Sequence, residues 1–158
     1  MKQDKQRSYY FKQKMIIKKP LSEVFNFFSD ARNLQEITPP QLDFKILTDV
    51  PLTMKENAII NFRIKIFGLP FNWKSKITNW TPPRAFTDKQ QKGPYRQWIH
   101  NHIFEETEHG VLMTDEVFYN LSPFIPRSWV NKLFVRPQIT KIFQYRYKML
   151  NKIFHETT

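Results

Sequence analysis

The chain has no cysteine and only 3 glycines among 158 residues. The first absence excludes disulfides, thiol nucleophiles and cysteine-bound zinc. The second argues against glycine-rich phosphate loops. No apolar run approaches the ~20 residues that a membrane-crossing helix requires. The opening stretch MKQDKQRSYYFKQKM is too charged for the apolar segment of a secretion signal, so a cytoplasmic location is expected. Acidic residues are also scarce: 14 Asp and Glu against 25 Lys and Arg leave a formal net charge of +11. Such a balance suits nucleic acid, an anionic membrane face or an acidic small molecule. The basic residues are spread along the chain, without a dense basic arm, zinc-finger spacing or RNA-binding string, so no nucleic-acid partner is expected. No Ser-His-Asp series, P-loop, dinucleotide fingerprint or H-E-x-x-H motif occurs. The common hydrolase, kinase and dehydrogenase classes are therefore not indicated, and no cofactor is expected.

Hydrophobic residues make up 41% of the sequence and aromatics 16%, with 15 Phe and 4 Trp. A chain of this length can bury roughly 70% of its unfolded surface, enough for one domain over residues 1–158. Phe and Trp can wall a cavity as well as fill a core. The densest arrangement runs from Trp98 to Phe104: on a strand, alternate side chains share a face, so Trp98, His100, His102 and Phe104 point the same way. Asp88 and Gln90 share a face of the preceding segment, and Asp115 and Tyr119 of the following one.

The pattern along the chain alternates between two periods. Tyr9 to Lys18 reads as a strand with Phe11, Met15 and Ile17 on one face. Pro20 ends it, and Ser22 is the expected N-cap of a helix carrying Val24, Phe25, Phe27 and Phe28. A second short helix is expected from Asp30 to Ile37, stopped by Pro39-Pro40. Strands follow over Leu42–Leu47, Ala58–Phe67, Phe71–Trp80, Ala85–Gln91, Tyr95–Glu106 and Val111–Leu121. Gly68-Leu69-Pro70, Pro82-Pro83 and Gly93-Pro94 mark connections between them. These short connections predict an antiparallel meander. From Ser128 to Phe154 the apolar period becomes helical, with Lys and Arg opposite the apolar stripe. Pro137 predicts either a short helix followed by a long one or a kink near Arg136. The expected fold is α+β: a curved antiparallel sheet of about seven strands, two short helices after the first strand, and a long C-terminal helix gripped by the sheet.

This order resembles the START-like or Bet v 1-like (helix-grip) superfamily, and within it the bacterial SRPBCC domains of polyketide cyclase/dehydrase type. The resemblance rests on PLSEVFNFFSDARNLQEITPP at 20–40, FGLPFNWKSKITNWTPPRAFTDKQQKGPYRQWIHNHIFEE at 67–106, LMTDEVFYNL at 112–121 and LFVRPQITKIFQYRYKML at 133–150. It implies a ligand cavity between sheet and last helix that takes a lipid, quinone or polyketide-like molecule. The positions it would bring to that cavity are Phe62, Trp73, Ile77, Trp98, His100, His102, Phe104, Asp115, Val117, Tyr119 and Phe143. One superfamily serves many functions, so the residues themselves must carry the reading.

If the three strand faces coincide, Asp88, His100, His102 and Asp115 meet in the concave interior. Three roles fit such a group. It can be a buried hydrogen-bonded network that sets strand register, since buried polar groups need partners. It can orient the polar end of a ligand. It can also be an acid/base pair, as in a cyclase or aromatase, because imidazole exchanges protons near neutral pH. H-x-H with a carboxylate also has metal-ligand character, but alternation alone does not place a third ligand, and no metal is assigned. Lys141, Arg146, Lys148 and Lys152 are expected on the solvent side of the last helix. There they would touch an anionic membrane transiently or, with no ligand involved, a protein partner.

Overall fold

The computed structural model describes residues 8–125 and 127–155. Seven strands form one antiparallel sheet: β1 (Tyr9–Ile17), β2 (Lys45–Ile46), β3 (Ile59–Ile66), β4 (Leu69–Thr81), β5 (Ala85–Lys92), β6 (Gln97–Thr107) and β7 (Gly110–Asn120). The order across the sheet is β1-β7-β6-β5-β4-β3-β2, so β3 to β7 form the expected meander and β1 closes on its last strand. Helix α1 (Leu21–Ser29) follows β1. The chain ends in α2 (Arg127–Val130), a π-helical segment (Asn131–Val135) and α3 (Arg136–His155).

Local differences from the sequence reading have physical causes. The cap of α1 is Pro20, not Ser22, and it offers no side-chain acceptor; the Pro20 carbonyl takes the first helical bond, from Val24 N–H, at 3.1 Å. The second short helix shrinks to a 3-10 turn, Ala31–Leu34, capped by Asp30, which accepts from Arg32 N–H. The strand expected at Leu42–Leu47 survives only as Lys45–Ile46, because a second 3-10 turn, Pro40–Leu42, occupies its start. The first hairpin turn is Phe67-Gly68, both at positive φ, and Leu69 already pairs with Ile66. A two-residue hairpin needs that backbone twist at both positions, which moves Leu69 and Pro70 out of the turn and into β4. Pro137 lies in the first turn of α3. The wider π segment before it accommodates a ring that has no N–H and crowds the carbonyl four residues back.

The register of β4 against β5 shifts twice, between Lys74 and Ser75 and between Ile77 and Asn79. Such irregularities bend a strand and raise its twist, which lets the sheet curl around α3. Two apolar clusters result. One packs Met15, Ile17, Val24, Phe25, Phe28 and Phe104 with the end of α3 at Leu150 and Phe154. The other packs Phe11, Val117, Tyr119 and Leu121 against Val135 of the π segment and Ile139 and Phe143 in the first half of α3. The Tyr119 hydroxyl donates to Asn131 Oδ1 at 2.7 Å, both groups buried, and so ties the π segment to β7.

Candidate functional site

The register brings the expected polar residues together on adjacent strands. Asp88 stands opposite His100 across β5 and β6, and His102 opposite Asp115 across β6 and β7. The hydrogen bonds run along the diagonals. His102 Nε2 donates to Asp88 Oδ2 at 2.8 Å, and His100 Nε2 donates to Asp115 Oδ1 at 2.7 Å. The direct opposites are longer, with His100 Nδ1 at 3.6 Å from Asp88 and His102 Nδ1 at 3.5 Å from Asp115. Each imidazole therefore lies between two carboxylates, and the two rings sit 3.7 Å apart. Ser75 Oγ on β4 donates to Asp88 Oδ1 at 3.1 Å. Phe86 stacks on His102 at 4.1 Å, and Phe143 from α3 meets His100 edge-on at 5.5 Å.

The sequence reading left out a fifth member. Arg146 turns inward from α3, with its side chain only 12% exposed, and brings Nη1 to 3.7 Å from Asp115 Oδ1 while its guanidinium covers the Phe143 ring. This corrects its placement on the solvent side of the helix; Lys141, Lys148 and Lys152 are exposed there as expected. Its spacing carried a signal. Ile139, Phe143, Arg146 and Leu150 recur at four, three and four residues, so Arg146 occupies a position of the apolar stripe itself.

Electrostatics follow from this packing. Burial acts to raise the carboxyls of Asp88 and Asp115, but hydrogen bonds from the histidines, their charge, and Ser75 or Arg146 outweigh it. Both acids therefore lie below the usual carboxylate range and are ionised. His102 is driven the other way: burial and the neighbouring His100 outweigh the two carboxylates and lower it to about 4. At neutral pH it is an uncharged imidazole. Its Nε2 carries the proton given to Asp88, and its buried Nδ1 has no hydrogen-bond partner among the described residues. Asp88, His100 and His102 also place their donor atoms within 4.8 Å of one another, close enough to share an ion; in the structure those atoms bond to each other and to Asp115.

These groups border a cavity of about 140 Å³ between the sheet and α3. Its wall is mostly apolar, from Phe62 and Ile64 on β3, Trp73 and Ile77 on β4, Trp98 on β6 and Ile139, Ile142 and Phe143 on α3, with Asp88, His100, His102 and Arg146 gathered in it. Phe62 stacks on Trp73, and Trp73 meets Trp98 and Tyr95 edge-on, giving one side of the cavity a continuous aromatic surface. Seven expected wall positions lie here: Phe62, Trp73, Ile77, Trp98, His100, His102 and Phe143. Four do not. Phe104 is covered by Phe25 and Phe28 of α1, Val117 and Tyr119 pack under α3, and Asp115 faces a narrow cleft with Gln13 and Arg146. The reason is the seat of α3: it lies over β1 and β7, leaving the hollow over β3 to β6. Alternation names a face of the sheet but not which part of that face stays uncovered.

The arrangement matches a known family. Residues 17–142 fit the family described as polyketide cyclase/dehydrase and lipid transport. The chain belongs to this family. No curated protein matches the sequence. Among solved structures it resembles a START superfamily protein from Mycobacterium smegmatis (11% identity, TM-score 0.70, 94% of this chain and 99% of that one). It also resembles major latex-like protein 151 from Panax ginseng (12% identity, TM-score 0.69, 94% and 98%). A third likeness is to the di-domain aromatase/cyclase StfQ of the steffimycin biosynthetic pathway (12% identity, TM-score 0.69, 95% of this chain and 51% of that one). At such identities the likeness establishes the fold: a Bet v 1/START-like helix-grip. Hydrophobic ligand binding is the activity that family membership implies. Among the described residues no helix is long and apolar enough to cross a membrane.

Proposed function

We propose that this member of the family encloses a compact, ring-sized hydrophobic or amphipathic molecule and fixes its polar end on the His/Asp/Arg group. The observation that carries the reading is an apolar, aromatic-walled hollow whose charged and imidazole groups are gathered in one place. Ligand sites have this composition, with apolar walls for affinity and few polar groups for orientation. Size narrows the guest: an apolar cavity of roughly 150 Å³ takes one benzene ring. A single-ring phenol suits the space here, and a fused ring or a longer chain would have to reach beyond it.

Filling the hollow tests this directly. Ala31 is buried on the cavity wall in the 3-10 turn. Ala31→Phe should lower the affinity for 4-methylphenol, measured by calorimetry, at least about tenfold, at an overpacking cost of about 1–3 kcal/mol. Equal binding by both proteins, with no small molecule in the native mass spectrum of the wild type, would dismiss the reading.

A second reading, acid/base chemistry on the enclosed molecule, draws on the neutral His102 at the cavity wall. It expects His102→Gln to bind a captured ligand nearly as well while losing its conversion by roughly 10²-fold or more, followed by mass spectrometry of the ligand. Conversion that survives the substitution would leave His102 a purely orienting group.

A further inference from the structure

In an antiparallel meander, alternate turns lie at the same end of the sheet. The β3–β4 turn, the β5–β6 turn and the exit from β7 therefore share one end, and the π segment and the start of α3 lie there as well. That end holds an unusual set of uncovered side chains. Phe67 and Leu69 project from the first hairpin, and Phe124, Trp129, Leu133 and Phe134 from the connection into α3, each 49% to 94% exposed. Trp129 and Leu133 are one helical turn apart. Apolar clusters of this kind on a water-facing surface mark an interaction site.

Acidic residues are unevenly distributed along the same axis. Residues 60–74, 90–98 and 118–138 contain no Asp or Glu, while Lys65, Lys92, Arg96, Lys132 and Arg136 are exposed in them. Asp43 reaches this end beside Lys45 and Lys65. The opposite end mixes both signs: Glu105, Glu106 and Glu108 lie around the β6–β7 turn with Lys18 and Arg84 beside them, all exposed. We infer that the end bearing Phe67, Leu69, Phe124, Trp129, Leu133 and Phe134 docks on an anionic lipid bilayer, its apolar side chains entering the interface and its cations facing the headgroups. Trp and Leu at headgroup depth, rimmed by Lys and Arg, are what such surfaces bind. A second copy of this chain is disfavoured by the same cations, which would face each other. The cavity wall reaches this end through Ile64, Ile66, Tyr95, Gln138 and Ile142, so a docked molecule would hold that end of the hollow toward the lipid. The docking face is not the basic flank of α3 suggested by the sequence, because Lys141 and Lys148 lack a comparable apolar cluster.

Flotation of the full chain with vesicles tests this. Binding should be clear to equimolar phosphatidylglycerol and phosphatidylcholine, weak to phosphatidylcholine alone, and reduced by salt. Trp129→Ala with Leu133→Ala should lower it at least about tenfold, while Lys141→Glu with Lys148→Glu should leave it nearly unchanged. Because all four side chains are exposed, thermal melts should match the parent. Indifference to anionic vesicles, or loss only in the α3 variant, overturns the proposal. So does a molecular mass that rises with protein concentration and falls in the Trp129/Leu133 variant, which would give the face to a second copy. So does vesicle binding abolished by competing RNA while free RNA is bound more tightly. Capture of 4-methylphenol by the Trp129/Leu133 variant should persist, so failure of docking and failure of ligand binding are read separately.

Discussion

Asp115→Ala should destabilise the protein by about 3–5 kcal/mol, the cost of removing one partner from a buried ionic group. Asp115 is 5% exposed, accepts the His100 Nε2 proton at 2.7 Å and is the carboxylate nearest Arg146. Without it, His100 loses its shortest hydrogen bond, and a guanidinium whose Nε and Nη1 already lack hydrogen-bond partners among the described residues is left buried beside an apolar ring. For a chain of this size the loss should appear as a fall of roughly 10 °C in the melting temperature. The double variant Asp115→Ala/Arg146→Ala should lose clearly less than the sum of the two single changes, because the second substitution removes the charge that the first strands. Strict additivity in denaturant unfolding would mean that Arg146 and Asp115 do not interact, and the five-residue group would reduce to two independent His–Asp pairs.

Acid should weaken the fold well before ordinary carboxylates protonate. His102 titrates at about 4 in the folded protein, against about 6.5 in an unfolded chain. Between those values the unfolded state holds more protons than the folded one, so stability falls as pH falls. The full span corresponds to about 3 kcal/mol lost between about pH 6.5 and pH 4. The groups facing His102 are Asp88, His100 and Asp115, with Arg146 beyond. Below that window Asp88 and Asp115 add to the loss in the same direction. Their folded values are depressed, so the stability they contribute is present above the unfolded carboxylate value and disappears as pH drops through the folded one. Urea unfolding at about pH 7 and about pH 4.5 should resolve the first phase, and His102→Gln should flatten it. A wild-type stability that stays level across this interval would show that His102 is not held neutral by its surroundings.

The polar group was partly legible in the chain. Alternation on one strand was enough to put His100 and His102 on the same face, and the flanking strands offered Asp88 and Asp115 as partners. The crossing of the bonds was not legible, since register and twist decide whether a side chain reaches its direct opposite or the diagonal. Arg146 is harder to read from the chain, because a cation on an amphipathic helix ordinarily points to water, although its place between Phe143 and Leu150 in the apolar stripe indicates otherwise. Phe104, Val117 and Tyr119, which the family resemblance would bring to the cavity wall, do lie on the concave face of the sheet. They are core residues because α1 and α3 cover their parts of the sheet.

Local rules, read along the chain, were sufficient for the strand periods, the turns within a residue or two, the helical stripe of the C-terminal segment and the side of the sheet on which the imidazoles lie. Those properties depend on near neighbours in sequence, where steric limits and burial repeat every two or every 3.6 residues. Where α3 comes to rest was decided only by tertiary packing. That seat leaves the hollow over β3 to β6, draws an arginine in beside Asp115, and gathers apolar side chains at the end where it begins. It sums weak contacts between segments distant in the chain, and no local period records such a sum.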